Sequence, residues 1–166
     1  KGNTNYNYYL TSFQNIWLIN YTLFFLSVLA FVNFHKIKSN ILGNINRAFL
    51  LLFILVFMVQ GLYEISELRY AFLEDGNLHY FQTNIFYIVI RYVSLLFLAL
   101  AIFVLYQYNR MDFMLQKFPK IWDCLLHICI IWFASSELIH WLDFGGYADV
   151  YKHGLSILWG VYALFI

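Results

Sequence analysis

Long apolar stretches constrain this sequence more than any other feature in it. A helix that crosses a bilayer needs about 20 apolar residues, each rising about 1.5 Å. Residues 13–34, 48–73, 85–106 and 121–142 reach or approach that length, and a fifth run opens near residue 154 and is cut short at Ile166. Segments 50–59 and 94–103 are apolar on every face, whereas strands of a membrane barrel alternate over about ten residues. The single proline, Pro119, stands just ahead of the fourth run. There it suits a helix start and leaves the apolar runs unbroken. The expected architecture is an all-α polytopic transmembrane bundle of about five spanning helices, with 1–166 forming one helical region.

Composition agrees. Hydrophobic residues make up 63% of the chain and charged residues 11%, against roughly 25% charged in a soluble domain. One soluble core could not hide that much apolar surface, but lipid tails solvate it. A net charge of +1 without a basic run gives no electrostatic case for nucleic acid. The expected partners are membrane lipids and further transmembrane helices of the same or a partner chain. Cys124 and Cys129 are five residues apart, on different faces of one helix, and read as small apolar fillers rather than a pair. The chain starts with Lys1 and stops within an apolar run, so it reads as an internal piece of a longer membrane protein. The Asn/Tyr-rich start, 3–9, is the only low-complexity segment.

The connecting segments set an orientation. Lys36, Lys38 and nearby Arg47 mark the first loop, and Arg110, Lys117 and Lys120 the third; Glu64, Glu67, Glu74 and Asp75 oppose Arg69 around the second, and Asp143 and Asp149 oppose Lys152 around the fourth. The positive-inside rule places the first and third loops in the cytoplasm and the N-terminal end outside. Trp17, Trp122 and Trp141 lie near helix ends, where interfacial anchors belong. Turns are expected at Glu74-Asp75-Gly76-Asn77 and at Gly145-Gly146.

Ionisable groups inside a spanning helix need a partner, water or a route to the interface. Gln60, Glu64 and Glu67 follow i, i+4, i+7 spacing on the second helix, Tyr87, Arg91 and Ser94 do so on the third, and Glu137 and His140 are i, i+3 neighbours on the fourth. Arg91 falls about 9 Å below the outer surface and Glu137 about 6 Å. Gln60, Glu64, Glu67, Arg91, Glu137 and His140 thus form a candidate outward-facing polar layer. Two readings of it stand side by side: an ion pair that fixes helix packing, or a water-accessible pocket that binds a polar group or moves a proton.

Glu137-x-x-His140 matches half of the carboxylate–histidine pattern of di-iron bundles. Asp123, Cys124 and His127 form a second local group. Neither offers a full ligand set, so no metal and no cofactor is expected, and Asp123–His127 reads as a pair at a helix end. Phosphate-binding glycine loops, nucleophile elbows and His-Glu-x-x-His helices are absent from the sequence. The sequon Asn20-Tyr21-Thr22 lies inside a spanning run.

Residues 135–147, SSELIHWLDFGGY, followed by 151–164, YKHGLSILWGVYAL, carry Ser136, Glu137, His140 and Trp141, then Ser156, Trp159 and Tyr162. This stretch resembles the C-terminal part of the domain-of-unknown-function 2339 family, large polytopic membrane proteins of bacteria. The resemblance implies a bacterial cytoplasmic (inner) membrane and further helices beyond Ile166, and supplies no activity. The leading functional expectation is a non-enzymatic membrane protein with a transport or envelope-related role through the outward polar pocket. The alternatives are a membrane-embedded enzyme acting on a lipid-linked or envelope substrate, with Glu137 or Glu64 as base and His140 nearby, and a scaffold with a dry, fully paired cluster and small residues at helix contacts.

Overall fold

The computed structural model describes residues 2–74, 84–115 and 119–165. The chain is all-α. Helix α1 (Gly2–Val32) runs on through a π turn, Asn33–Ile37; α2 (Asn40–Val56) continues through a second π turn, Phe57–Gly61, into α3 (Leu62–Glu74). Helices α4 (Asn84–Arg110), α5 (Pro119–Phe144) and α6 (Tyr151–Phe165) follow. Four rods are long and apolar enough to cross a membrane: Tyr9–Ile37, Asn40–Leu73, Ile85–Arg110 and Lys120–Phe144. Helix α6, the expected fifth, has 15 described residues. The Asn/Tyr-rich start continues α1, and Pro119 opens α5 as expected.

The second rod starts earlier than its apolar run, at Asn40, because Ser39 caps it. Ser39 is extended at φ −86° and ψ 124°, and its Oγ accepts from the Leu42 N–H at 3.4 Å. Arg47 therefore belongs to α2 and is buried, rather than lying in a loop. The preceding turn is closed by Asn33, whose Oδ1 accepts from the Ser39 N–H at 3.0 Å and whose Nδ2 donates to the Ser39 carbonyl at 3.2 Å. The turn expected at 74–77 and Lys117 lie outside the described residues.

The chain forms two compact units, Lys1–Pro119 and Lys120–Ile166. In the first unit, α1 packs on α2, α3 and α4, and α4 packs on α2 and α3. Each rod buries one seam. On α1 it runs Ser12, Ile16, Ile19, Leu23, Leu26, Ala30, Asn33; on α2–α3 Gly43, Arg47, Leu50, Ile54, Phe57, Gly61, Glu64, Leu68, Ala71; on α4 Arg91, Ser94, Leu98, Ala101, Leu105, Tyr108. The steps alternate between three and four residues, the coiled-coil period that keeps one stripe facing its neighbours. Small residues lie on these seams. A Cβ on Gly43 would stand 2.6 Å from the Met114 sulfur, so its bare backbone makes room for that side chain. The faces away from the seams, with Leu18, Phe31, Leu52, Val59 and Leu96, are exposed and apolar, as lipid contact requires.

In the second unit, side chains tie α5 to α6. Trp159 Nε1 donates to Ser135 Oγ at 2.9 Å, His127 Nδ1 lies 2.8 Å from the Tyr162 hydroxyl, and Gly154 faces Leu138 and Leu142. His127 thus engages Tyr162, where the sequence pointed to Asp123. The Gly145-Gly146 turn forms as expected. Tyr147 N–H bonds to the Leu142 carbonyl and Gly146 N–H to the Asp143 carbonyl, with Gly146 at φ +73°, which is a Schellman helix end. Trp17 and Trp141 are exposed, consistent with anchors, but Trp122 is buried and packs inside the protein. Cys129 is buried as a filler, whereas Cys124 is exposed.

Gly146→Ala should weaken the α5–α6 hairpin by about 1–2 kcal/mol, the cost of a left-handed residue with a Cβ. Gly160→Ala, where nothing lies within 4 Å of the added atom, should leave stability unchanged or slightly higher. Thermal unfolding in detergent, with proteolysis near residue 146, compares the two.

Candidate functional site

The polar residues of the first unit gather in two layers, one toward each end of the rods. The layer expected from sequence is built around Glu64 and Arg91, which are 6% and 2% exposed. Asn15 Nδ2 donates to Glu64 Oε1 at 2.8 Å, across 49 residues of chain. About one turn deeper, Asn20 Nδ2 donates to Ser94 Oγ at 2.8 Å, and Ser94 in turn donates to the Ile90 carbonyl at 2.7 Å. Asn20 is fully buried, in keeping with a sequon inside the bundle. Arg69, also buried, donates to Ser66 Oγ at 2.9 Å.

Three of the six expected residues fall differently. Gln60 is exposed and Glu67 only half-buried. The seam of α2–α3 runs through Gly61, Glu64 and Leu68, so a stripe counted from Gln60 shares only Glu64 with it. A π turn lies at this point, with the Leu62 N–H bonded to the Phe57 carbonyl. Glu137 is half-buried rather than sunk in a core. His140 is buried, its ring edge-on to Trp141 at 5.8 Å and Phe144 at 5.0 Å. Glu137 and His140 both lie on α5 in the second unit, while Glu64 and Arg91 belong to the first. Among the described residues, no three His, Cys, Asp or Glu side chains are gathered closely enough to hold a metal.

The second layer was not anticipated. It centres on the Tyr108 hydroxyl, which is fully buried and accepts from Asn46 Nδ2 at 3.1 Å and from Asn33 Nδ2 at 3.5 Å. Asn46 Nδ2 also donates to the Leu26 carbonyl at 3.1 Å. Four segments meet here: α1, its π turn, α2 and α4. Arg47, next to Asn46 in α2, is buried as well. Neutral amides and a phenol carry no charge that would mark them in the sequence. The signal available was an amide in or beside an apolar run: Asn20, Asn33 and Asn46 are all buried, and Asn33 stands on the α1 seam itself.

The separation of the two layers is nearly the same on all three rods. Asn15 and Asn33 on α1, Asn46 and Glu64 on α2–α3, and Arg91 and Tyr108 on α4 are 18, 18 and 17 residues apart. That is about 26 Å of helix each time, close to the roughly 30 Å hydrocarbon thickness of a bilayer. Between the layers the seams carry Leu23, Leu26, Ile54, Phe57, Leu98 and Ala101. The arrangement joins polar side chains to each other toward the two edges of the apolar slab and leaves mostly apolar seams between them.

Comparisons with protein-family models, curated proteins and solved structures find no match to this chain.

Tyr108→Phe should cost about 1–2 kcal/mol, since it strips an acceptor from buried amides. Tyr106→Phe, at an exposed ring, should cost much less. A double-mutant cycle of Asn15→Ala and Glu64→Ala should give a coupling of about 0.6–2 kcal/mol, the range of interhelical hydrogen bonds in membranes. Unfolding by SDS, followed by circular dichroism, measures both.

Proposed function

We propose that this chain is a non-enzymatic, multi-pass membrane protein in which the polar residues of the first four helical segments act as packing clasps. Its role in the membrane is then that of a rigid helical platform. The observation that carries this reading is the Asn15–Glu64 hydrogen bond at 2.8 Å with Glu64 only 6% exposed. A general base or a transport carboxylate has to meet its substrate or water, whereas this one is occupied by a neighbouring helix. The small seam residues Ala30, Gly43, Gly61, Ala71 and Ala101 support close helix packing.

Under the same proposal the Lys36–Lys38 end lies in the cytoplasm of a bacterium, because both lysines are exposed beside the first turn. The likeness of residues 135–164 to the domain-of-unknown-function 2339 family is carried here as a proposal too; it would make the chain part of a longer polytopic protein. The transport reading keeps one supporting observation. Asn20 Oδ1 is buried without a hydrogen-bond partner, a polar atom inside the bundle that a moving ligand would satisfy.

Labelling with a membrane-impermeant maleimide in intact cells separates the readings. In a protein with Cys124→Ser and Cys129→Ser, single cysteines at Glu64 and Arg91 should stay unlabelled, Leu10→Cys should label from outside, and Lys38→Cys should label only after the cells are opened. Fast labelling at 64 and 91 in correctly inserted protein would replace the clasp with a wet pocket and return the transport and enzyme readings.

A further inference from the structure

A groove of about 470 Å³ runs between α1 and α4 and is open along one side. Val28 and Phe31 form one wall, Phe103 and Val104 the other, and at the end nearest the first turn His35 and Gln107 supply its polar groups. Both helices are long and apolar enough to cross a membrane. They run side by side in the same direction, since Asn20 meets Ser94 near one end and Asn33 meets Tyr108 near the other. Two parallel rods with bulky aromatics at the rim and smaller residues between them leave a furrow at hydrocarbon depth. Water has no place in it, because its walls are almost wholly apolar.

The polar end differs sharply in character. Lys36 and Lys38 are exposed within three residues of His35. Phe103, Gln107 and Arg110 follow i, i+4, i+7 spacing, so Arg110 continues the groove-lining face of α4 by one turn. Its guanidinium lies 4.5 Å from the Tyr106 ring centre and donates to that ring's hydroxyl. The ring of His35 lies 4.3 Å from that of Phe31, which fixes it at the groove's edge. Asp112 is the one acid in these stretches, so positive charge prevails where the groove reaches the membrane surface.

We propose that this groove is a binding site for an anionic phospholipid. One acyl chain lies between α1 and α4, and the phosphate sits among Lys36, Lys38 and Arg110, with the Gln107 amide donating to the ester region. The nine residues from Ser27 to His35 rise about 12 Å along the helix, so the site grips the part of a chain nearest its headgroup. An apolar furrow alone would accept any lipid; the cationic end selects a negative one, because each basic residue near the membrane surface attracts an anionic headgroup. This site lies on the lipid-facing side of the bundle and does not depend on the clasp reading of the buried layers.

The test uses the full chain in detergent, titrated with phosphatidylglycerol or with phosphatidylcholine of the same acyl chains, and bound lipid is counted by native mass spectrometry. Phosphatidylglycerol should be retained at least tenfold more strongly. The triple variant Lys36→Gln, Lys38→Gln, Arg110→Gln should lose that preference while still holding lipid, and Val28→Trp, which fills the furrow, should lose retention of both lipids. In parallel, wild-type protein in vesicles containing phosphatidylglycerol with a photoreactive acyl chain should crosslink at residues 28–35 and 100–107. Equal retention of the two lipids by the wild type overturns the proposal. So does crosslinking spread evenly over all lipid-facing helices, or absent from α1 and α4 while present elsewhere, a pattern that would mean protein covers the groove. The crosslinking arm needs no variant, so a misfolded Val28→Trp leaves the question decidable.

Discussion

A polar group held in hydrocarbon without a partner costs several kcal/mol, and the first unit is organised around that penalty. Helices satisfy the backbone on their own. Side chains have to find each other, and here they do so between elements remote in sequence: Asn15 with Glu64, Asn20 with Ser94, Asn33 and Asn46 with Tyr108. Lipid tails provide no hydrophobic drive for helices to associate. Directional bonds therefore contribute what water exclusion would supply in a soluble bundle, and they also fix which face of each rod turns inward.

The seams make those bonds reachable. A stripe that steps by three and four residues keeps facing its neighbours over the whole rod, so residues more than 15 positions apart on one helix can both meet the same partner helix. Small residues bring the axes close. Ala30 and Ala101 are fully buried, and Gly43 admits Met114 where a side chain would not. The π turn at Phe57–Gly61 lies within the α2–α3 seam without breaking it: Phe57, Gly61 and Glu64 all stay inside.

Much of the fold was legible in the sequence. Run length and composition sufficed for an all-α membrane chain, Pro119 for the start of α5 and Gly145-Gly146 for its end. The start of α2 was not, because Ser39 caps a polar first turn that hydropathy treats as loop. The candidate layer was half legible. Glu64 and Arg91 stood out as charges in apolar runs, but the seam phase that separates Glu64 from Gln60 and Glu67 depends on where Gly61 packs. The Tyr108 layer went unread, since amides and phenols in an apolar run carry no charge signal, and only the partner across the helix interface gives them meaning.

The near-equal spacing of the two layers has a consequence for where such a protein can reside. A single helix answers a change in bilayer thickness by tilting. Three rods cross-linked at both margins cannot tilt independently without dragging one set of amides into oil or the other into the headgroups. The bundle therefore behaves as a ruler of fixed length: the surrounding lipid must stretch or compress to meet it, and each ångström of mismatch costs a fraction of a kcal/mol. Membranes of matching thickness would hold this protein at least strain.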